Sequence, residues 1–209
     1  MIDANSQFFA ILTNVGMAKQ ANADALGIPH NQGEFVRSVT PGQGAANAGI
    51  LAGGATEVFS VDSSGPALAR AEAHVALNGY DVSAHTALDA DVNGTLRRFI
   101  QEGKRFDAIV LDPPKFAPSA AHADRASRAY KDINRLAFKL LNPGGLLLTF
   151  SCSGGIGAEL FHKIVAGAAM DAGVDGYLLQ RLEATPDHPT TLTFPEGEYL
   201  KGLAIVRKS

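Results

Sequence analysis

The sequence has one cysteine in 209 residues, so it cannot form an internal disulfide, and it carries little net charge. Its formal charge is -3 at pH 7 and its pI is near 6.0, which excludes the broad positive field of a protein that binds nucleic acid over most of its surface. Any nucleic-acid contact must therefore come from a local basic patch. The candidates are Arg125, Arg128, Lys131 and Arg135, with Lys115 nearby.

Long apolar runs are also missing. No run reaches the roughly 20 residues that a membrane-spanning helix requires. Residues 8–12 form a short apolar run, but no basic residue precedes it, so it does not resemble a secretory signal. Together with the single cysteine, these features predict a cytoplasmic protein with no membrane partner.

Several common site motifs are absent. The chain has no GxxxxGK[ST] phosphate loop, no paired CxxC and no HExxH, and its six histidines are scattered, so we predict no metal site. A serine hydrolase would need a Gly-x-Ser-x-Gly turn, which residues 151–155 do not supply. A cysteine hydrolase that uses Cys152 and His188 stays open.

The most informative stretch is an apolar strand that ends in an acidic, proline-rich turn. Residues 106–111 are mostly apolar and Asp112–Pro113–Pro114 follows them. Proline cannot donate to a strand ladder and restricts the residue before it, so the strand ends at Asp112. In an open α/β sheet, ligands bind at this carboxyl edge. A second apolar strand leads into Ser151–Cys152–Ser153.

Strands alternate with helices from residue 56 onwards, which predicts a doubly wound, mostly parallel α/β sheet covered on both faces. A length of 209 residues, 46% of them hydrophobic, fits one globular domain. Helix-like spacing predicts a helix over 6–26, and a short strand could lie at 36–40 before a glycine turn. The remaining predicted strands are 57–62, 82–87, 106–112, 146–153, 177–182 and 202–206; the predicted helices are 66–78, 92–102, 130–141 and 158–172, with a loop over 117–128.

Asp62 ends the predicted strand 57–62 and is followed by Ser63 and Ser64. An acid at this point of a nucleotide-binding half commonly accepts hydrogen bonds from ribose hydroxyls. The spacing is equally compatible with a carboxylate that only orders the start of the next helix. Both interpretations stay open.

Cys152 and Asp112 together permit chemistry on a cytosine ring. A thiolate can add to C6 and make C5 nucleophilic, while an acid at the ring edge hydrogen-bonds N3 or the exocyclic amine. A free cysteine is only a few per cent thiolate at neutral pH, so we expect the site to assist its ionisation or its attack, for instance through donors on the turn at 154–155 and the N-terminus of the helix that follows. Taken alone, Cys152 is better interpreted as a small buried apolar residue, which is the commoner role of a free cysteine.

Six motifs in order carry a family resemblance: Leu111–Phe116, Arg128–Asn134, Leu141–Gly145, Thr149–Gly154, Asp187–Pro189 and Phe194–Gly202. Together they resemble the catalytic domain of the bacterial 23S ribosomal RNA cytosine-5 methyltransferases, the ribosomal RNA large subunit methyltransferase I family. The resemblance implies a class I Rossmann-like fold, S-adenosylmethionine as cofactor and 23S ribosomal RNA as partner.

The resemblance also implies roles for individual residues. Cys152 resembles the nucleophile, and Asp112 the acid that lies beside both donor and base. Asp62 resembles the ribose-binding acid, with Ser63 next to it among the donor-binding residues. Asp91 resembles the acid beside the adenine.

The first 50 residues depart from the family pattern. Before Ala52–Gly53–Gly54 the family has a hydrophobic first strand that runs into Tyr-Thr-Gly-Gly, whereas this chain has Ser38–Gly49. The first strand and the donor loop are therefore degenerate, and the family's N-terminal PUA domain has no counterpart. We interpret residues 1–50 as an atypical, unrelated or frame-shifted segment and residues 51–209 as the methyltransferase domain, with weakened donor binding.

Two alternatives to cytosine methylation remain. Guanine N7 methylation by a related domain needs no cysteine, and the Ser-Cys-Ser motif favours cytosine over it. A catalytically silent remnant that acts at most as an RNA-binding module would keep the fold without a working donor loop. The sequence leaves the oligomeric state open.

Overall fold

The computed structural model describes residues 9–14, 55–117, 122–184, 190–194 and 197–209. The strands in these residues are β1 (Phe9–Asn14), β2 (Glu57–Asp62), β3 (His85–Asp89), β4 (Phe106–Asp112), β5 (Leu141–Ser151), β6 (Gly176–Leu182) and β7 (Lys201–Arg207). The helices are α1 (Gly65–Leu77), α2 (Val92–Gln101), α3 (Ala123–Leu140) and α4 (Ala158–Ala172). None of the helices in this part of the chain is long and apolar enough to cross a membrane.

The strands form one sheet in the order β3-β2-β1-β4-β5-β7-β6. β2 is parallel to β3 and β4 is parallel to β5, and both pairs run in the same direction because β1 is antiparallel to β2 and to β4. β7 is antiparallel to its neighbours β5 and β6. The predicted α/β sheet is confirmed, and five of the seven described strands run in one direction. Because β1 and β7 are reversed, two of the six neighbouring pairs are parallel.

β1 corrects the helix predicted over residues 6–26. Residues 10–14 pair with β2 on one side, and residues 9–13 pair with β4 on the other. A slot between two strands gives the backbone a hydrogen-bonded ladder on both sides, and this tertiary gain outweighs the marginal stability of a short helix. The rest of that predicted helix and the strand predicted at 36–40 lie outside the described residues.

Local signals set both ends of α1 and the start of α2. The Ser64 side chain accepts the Ala67 N–H at 3.4 Å at the start of α1, and Gly79, with a φ of +75°, follows its end. Asp91 accepts the Gly94 N–H at 2.6 Å at the start of α2. These caps satisfy N–H groups that lack helical partners, and the predicted ends of α1 and α2 agree with the structure to one residue.

Three elements begin at least three residues away from their predicted first residue. α3 begins at Ala123 within the predicted loop 117–128, because its first turns bury Ala126 on the face that carries Tyr130 and Ile133. β5 begins at Leu141, and a shift of register between β4 and β5 accommodates the Pro-Gly-Gly segment that was predicted as a helix stop. β3 starts at His85 because a short 3₁₀ turn occupies residues 82–84.

Side-chain alternation gives the two faces of the sheet different roles. Phe59 of β2 and Leu111 of β4 belong to the main buried cluster, which also contains residues of α2, α3 and α4. There the rings of Phe59, Phe99 and Phe106 lie 5.6 to 5.8 Å apart. Successive side chains of a strand point to opposite faces. The acids that end β2 and β4 therefore face the other side, where α1 packs against β2 and β3.

Candidate active site

The sheet brings the ends of β2 and β4 to the same level of one edge. Ala10 of β1 pairs with Val61 of β2 and with Leu111 of β4. The next residue in each strand is an acid, so Asp62 and Asp112 are level, one on each side of β1. Because β2, β4 and β5 run in the same direction, the predicted meeting of their carboxyl ends is confirmed.

Cys152 directly follows β5, beside the turn that follows β4. The Cys152 thiol donates to the Pro113 carbonyl at 3.9 Å, and pairing of Leu111 with Thr149 sets the register of the two strands. Strand alternation places Cys152 on the same face as Asp112. The predicted proximity of the thiol and the acid is therefore confirmed, while their catalytic roles stay predictions.

Burial dominates the electrostatics of this pair. It raises the pKa of Asp112 to about 6. It also raises the pKa of Cys152, and the nearby charge of Asp112 raises it further. A backbone hydrogen bond at Cys152 and the charges of Lys115 and Lys201 act in the opposite direction without reversing the shift. The net shift of the Cys152 pKa is upward, so the expected assistance to its ionisation is wrong for the isolated protein, while assistance to its attack stays a prediction.

A buried hydrogen-bond network that the sequence did not reveal joins the two turns. Ser153 Oγ accepts the Ala117 N–H at 3.0 Å and lies 2.9 Å from the Tyr130 hydroxyl. Lys201 Nζ donates to the Ser153 carbonyl at 2.8 Å, and the Tyr130 ring packs 4.8 Å from that of Phe116. The one available signal was a tyrosine on the apolar face of α3, since a buried hydroxyl requires a partner.

Asp62 ends β2 on the other side of β1, and its carboxylate orders the loop that follows. Its Oδ1 accepts the Ser64 N–H at 2.7 Å, and the residue is 1% exposed. Burial raises the pKa of Asp62, and the backbone N–H groups of Ser64 and Ser63 oppose that shift. The structure therefore shows that Asp62 orders the start of the next helix. Ribose binding by Asp62 and Ser63 stays a prediction.

Asp89 is a further acid at this edge that the predicted site did not include. It ends β3 and pairs in register with Asp62. A side chain at Gly65 would place a Cβ 3.2 Å from Asp89 Oδ2, so glycine leaves room at the start of α1. Carboxylate oxygens accept hydrogen bonds from hydroxyl and amino groups, so the residues at this end of the sheet fit an adenosine.

Asp91, predicted to lie beside the adenine, is the exposed N-cap of α2. Its Oδ2 accepts the Gly94 N–H at 2.6 Å, and a Cβ at Gly94 would lie 3.1 Å from the same oxygen. The helix cap is thus an observed role. The contact with adenine stays a prediction.

The predicted basic patch divides into two groups. Lys131 forms an ion pair with Asp171 at 2.8 Å, and Arg135 forms one with Asp132 at 2.6 Å. These two cations lie on helix surfaces and are engaged within the protein. The exposed candidates are Arg125, Arg128 and Lys115.

Two predicted elements lie outside the described residues. They are His188, the partner that a cysteine hydrolase would require, and the glycine-containing region 38–54 that was compared with the donor loop.

Comparison with known proteins assigns this architecture to a family. Residues 36–200 match the model of the S-adenosylmethionine-dependent methyltransferases. The chain belongs to this family. The family's methyl donor is S-adenosylmethionine, the cofactor that the sequence predicted. The match begins within the segment 1–50 that we interpret as atypical, and the domain boundary at residue 51 stays a prediction.

Within this methyltransferase family, the predicted resemblance to one group is confirmed. Ribosomal RNA large subunit methyltransferase I of Vibrio cholerae is 53% identical over 156 residues, which are 74% of this chain and 39% of that protein. The protein of the same name from Klebsiella pneumoniae is 50% identical over 154 residues, 74% of this chain and 38% of that protein. The methyltransferase chain thus spans about two fifths of the length of these relatives.

Solved structures support the methyltransferase fold. A putative methyltransferase complexed with SAH superimposes with a TM-score of 0.65 at 22% identity and covers 76% of this chain and 41% of its own. A putative SAM-dependent methyltransferase from Streptococcus mutans gives 0.64 at 20% identity, over 76% of this chain and 40% of its own. These similarities confirm the predicted Rossmann-like fold.

Proposed function

We propose that this methyltransferase transfers a methyl group to C5 of a cytosine in 23S ribosomal RNA, with Cys152 as the nucleophile. The observation that carries the proposal is the placement of Cys152 and Asp112 on adjacent strand ends, on one face of the sheet. The names of the sequence relatives supply ribosomal RNA as the substrate class. Action on ribosomal RNA agrees with the predicted cytoplasmic location.

The Cys152 thiol first loses its proton to solvent, and the resulting thiolate then attacks C6 of the ring. The Sγ–C6 bond forms while the C5–C6 π electrons move onto C5, which becomes nucleophilic. Asp112, with a pKa raised to about 6, is able to hold a proton once negative charge develops on N3, and it then donates a hydrogen bond to that atom.

The second half of the reaction restores the ring. When bound, S-adenosylmethionine would supply an electrophilic methyl group: the bond from the methyl group to C5 would form as its bond to the donor sulfur breaks, and S-adenosylhomocysteine would leave. A base then removes the C5 proton, the C5–C6 double bond re-forms, and the Sγ–C6 bond breaks to return Cys152 as a thiolate. In this proposal Asp62 and Ser63 bind the ribose of the donor, and Asp91 lies beside its adenine.

The test uses RNA that contains 5-fluorocytidine at unpaired positions, because a cytosine in a duplex must first be unstacked. Fluorine at C5 blocks the final elimination, so the parent chain with donor should form a covalent adduct with the RNA. Cys152→Ala should abolish the adduct and leave donor binding, measured by calorimetry, unchanged. An adduct that survives Cys152→Ala would exclude the nucleophile role. Methylation of ordinary RNA that persists in this variant would instead favour the guanine N7 alternative.

A silent remnant is the second candidate function, because one feature of the sheet favours it. The last residue of β1, Asn14, pairs with Glu57 at the amino end of β2. The carboxyl end of β1 therefore lies at the edge opposite Asp62 and Asp112, whereas a first strand parallel to β2 and β4 would end at the edge where these acids lie. Calorimetry that detects no donor binding in the parent chain would favour the remnant over the enzyme.

A further inference from the structure

Lys201 connects the segments on both sides of the thiol. It is the first residue of β7 and pairs with Ser151, the last residue of β5. Its Nζ donates to the Ser153 carbonyl at 2.8 Å and to the Tyr199 carbonyl at 2.9 Å. The residues before and after Cys152 are therefore both tied to Lys201, one through the strand ladder and one through the ammonium.

Titratable groups from four elements surround Cys152. Asp112 belongs to β4, Lys115 to the turn after β4, Tyr130 to α3 and Lys201 to β7. The charges of Lys115 and Lys201 favour the thiolate and that of Asp112 opposes it.

The two lysines differ in how firmly they are held. Lys115 is exposed and its Nζ lies 5.6 Å from the Tyr199 ring centroid, so solvent screens its charge. Lys201 is half-buried and two carbonyls fix its ammonium. Charges removed from water interact more strongly than exposed ones, so Lys201 is the cation that keeps a constant position relative to the thiol.

We propose that Lys201 is a positioning residue for Cys152: its ammonium fixes the Ser153 carbonyl, and with it the turn that bears the thiol, and stabilises the thiolate by its charge. The thiol proton leaves to solvent and no other bond changes in this step. Its importance for catalysis rests on the proposed function. The effect of Lys201 on the thiol is independent of the proposed function, because it requires neither RNA nor donor.

The experiment measures the rate of alkylation of Cys152 by iodoacetamide as a function of pH in the full chain. Cys152 is the only cysteine, and the thiolate is the reacting form, so the midpoint of the profile reports its pKa. Lys201→Met removes the charge and keeps a similar length, and Lys201→Arg keeps the charge. Lys163→Met is the matched control, because it removes the same charge from an exposed site on α4 that is paired with Glu159.

We expect Lys201→Met to move the midpoint upwards by at least about half a pH unit, which is about a threefold loss of thiolate below the midpoint. Lys201→Arg should stay close to the parent profile and Lys163→Met should not differ from it. Circular dichroism and urea unfolding establish that each variant is folded. If Lys201→Met does not fold, Lys201→Gln replaces it with the same expected shift.

Two outcomes would overturn the proposal: a parent-like profile for the neutral variants, or equal shifts for Lys201→Arg and Lys201→Met. The 5-fluorocytidine adduct separates this result from the proposed function. A shifted alkylation profile without any adduct in the parent chain would retain the role of Lys201 and reject the methylation chemistry. An adduct in the parent chain, together with an alkylation profile that does not shift in Lys201→Met, would retain the methylation chemistry and reject the role of Lys201.

Discussion

The carboxyl edge of the sheet carries one acid on each side of β1: Asp62, which is buried, on the proposed donor side, and Asp112, which is half-buried, on the side of Cys152 where the base would bind. The two acids are held differently. Asp62 and Asp112 are level on either side of β1, and burial raises the pKa of both. Backbone N–H groups oppose the shift at Asp62, whereas the pKa of Asp112 rises to about 6. Hydrogen bonds to a carboxylate favour its ionised form. Asp62 therefore suits a permanent acceptor, and Asp112 suits an acid that exchanges a proton during a reaction.

The largest effect expected from this difference is on catalysis. Asp112→Asn should lower kcat for methylation by about 10²- to 10³-fold, the usual effect of losing a group that stabilises developing charge. Donor affinity should fall less than in Asp62→Asn, because Asp112 would lie beside the donor while Asp62 and Ser63, the proposed ribose ligands, are intact. Single-turnover methylation and calorimetry give the two values, and a variant within tenfold of the parent kcat would remove Asp112 from the chemistry.

The next effect concerns donor binding on the other side of β1. Asp62→Asn should weaken it about 10- to 100-fold, the equivalent of about 1.5 to 3 kcal/mol for a hydrogen bond to a charged group. Asp91→Asn is the matched variant, because asparagine caps a helix as well as aspartate does. A loss of affinity in Asp91→Asn would therefore report contact with the donor and not a disturbed α2. Unchanged affinity in Asp62→Asn would leave loop ordering as the whole role of Asp62.

Stability should distinguish the two acids as well. Burial raises the pKa of Asp112 to about 6 in the native state. Between about pH 4 and 6 the Asp112 carboxyl is therefore protonated in the native state but already ionised in the unfolded state. Stability therefore falls as pH rises through this range, and the cost persists above it. The free energy of unfolding of Asp112→Asn, measured with urea, should exceed that of the parent by about 1 to 3 kcal/mol at pH 8 and by little near pH 3.5.

Asp62→Asn is the comparison variant for this stability experiment. It should gain less at pH 8 than Asp112→Asn, because it also loses hydrogen bonds from backbone N–H groups to a charged oxygen. Equal gains for the two variants would contradict the difference drawn between the acids.

The smallest effect concerns RNA affinity, and it should leave donor binding unchanged. Arg128 is exposed on α3 while Lys131 is paired with Asp171, so Arg128→Ala should weaken RNA binding about threefold and lower the salt slope by about one. Lys131→Ala should change both less, and donor affinity should stay constant in both variants. If neither substitution changes RNA affinity, these charges form an ordinary solvated helix face.

Much of the fold was predictable because it depends on short-range patterns. The apolar run before Asp112 and the two prolines after it predicted both ends of β4, and α4 has the predicted bounds. β1 was not predictable in this way. Its apolar spacing fits a helix, and only the slot between β2 and β4 makes Phe9–Asn14 a strand.

The candidate site divides in the same way. Local sequence was sufficient to place Asp62, Asp112 and Cys152 at strand ends. It also predicted that these ends meet, because parallel strands joined by helices carry their carboxyl ends to one edge. Tertiary structure alone decided the surroundings of these residues. The contacts of Ser153 with Tyr130 and Lys201 span 23 and 48 residues of sequence, and the pKa of Asp112 depends on burial that no local pattern encodes. Hydrogen bonding and desolvation act between whatever groups folding brings together, so the electrostatics of the site follow from the packing of the whole sheet.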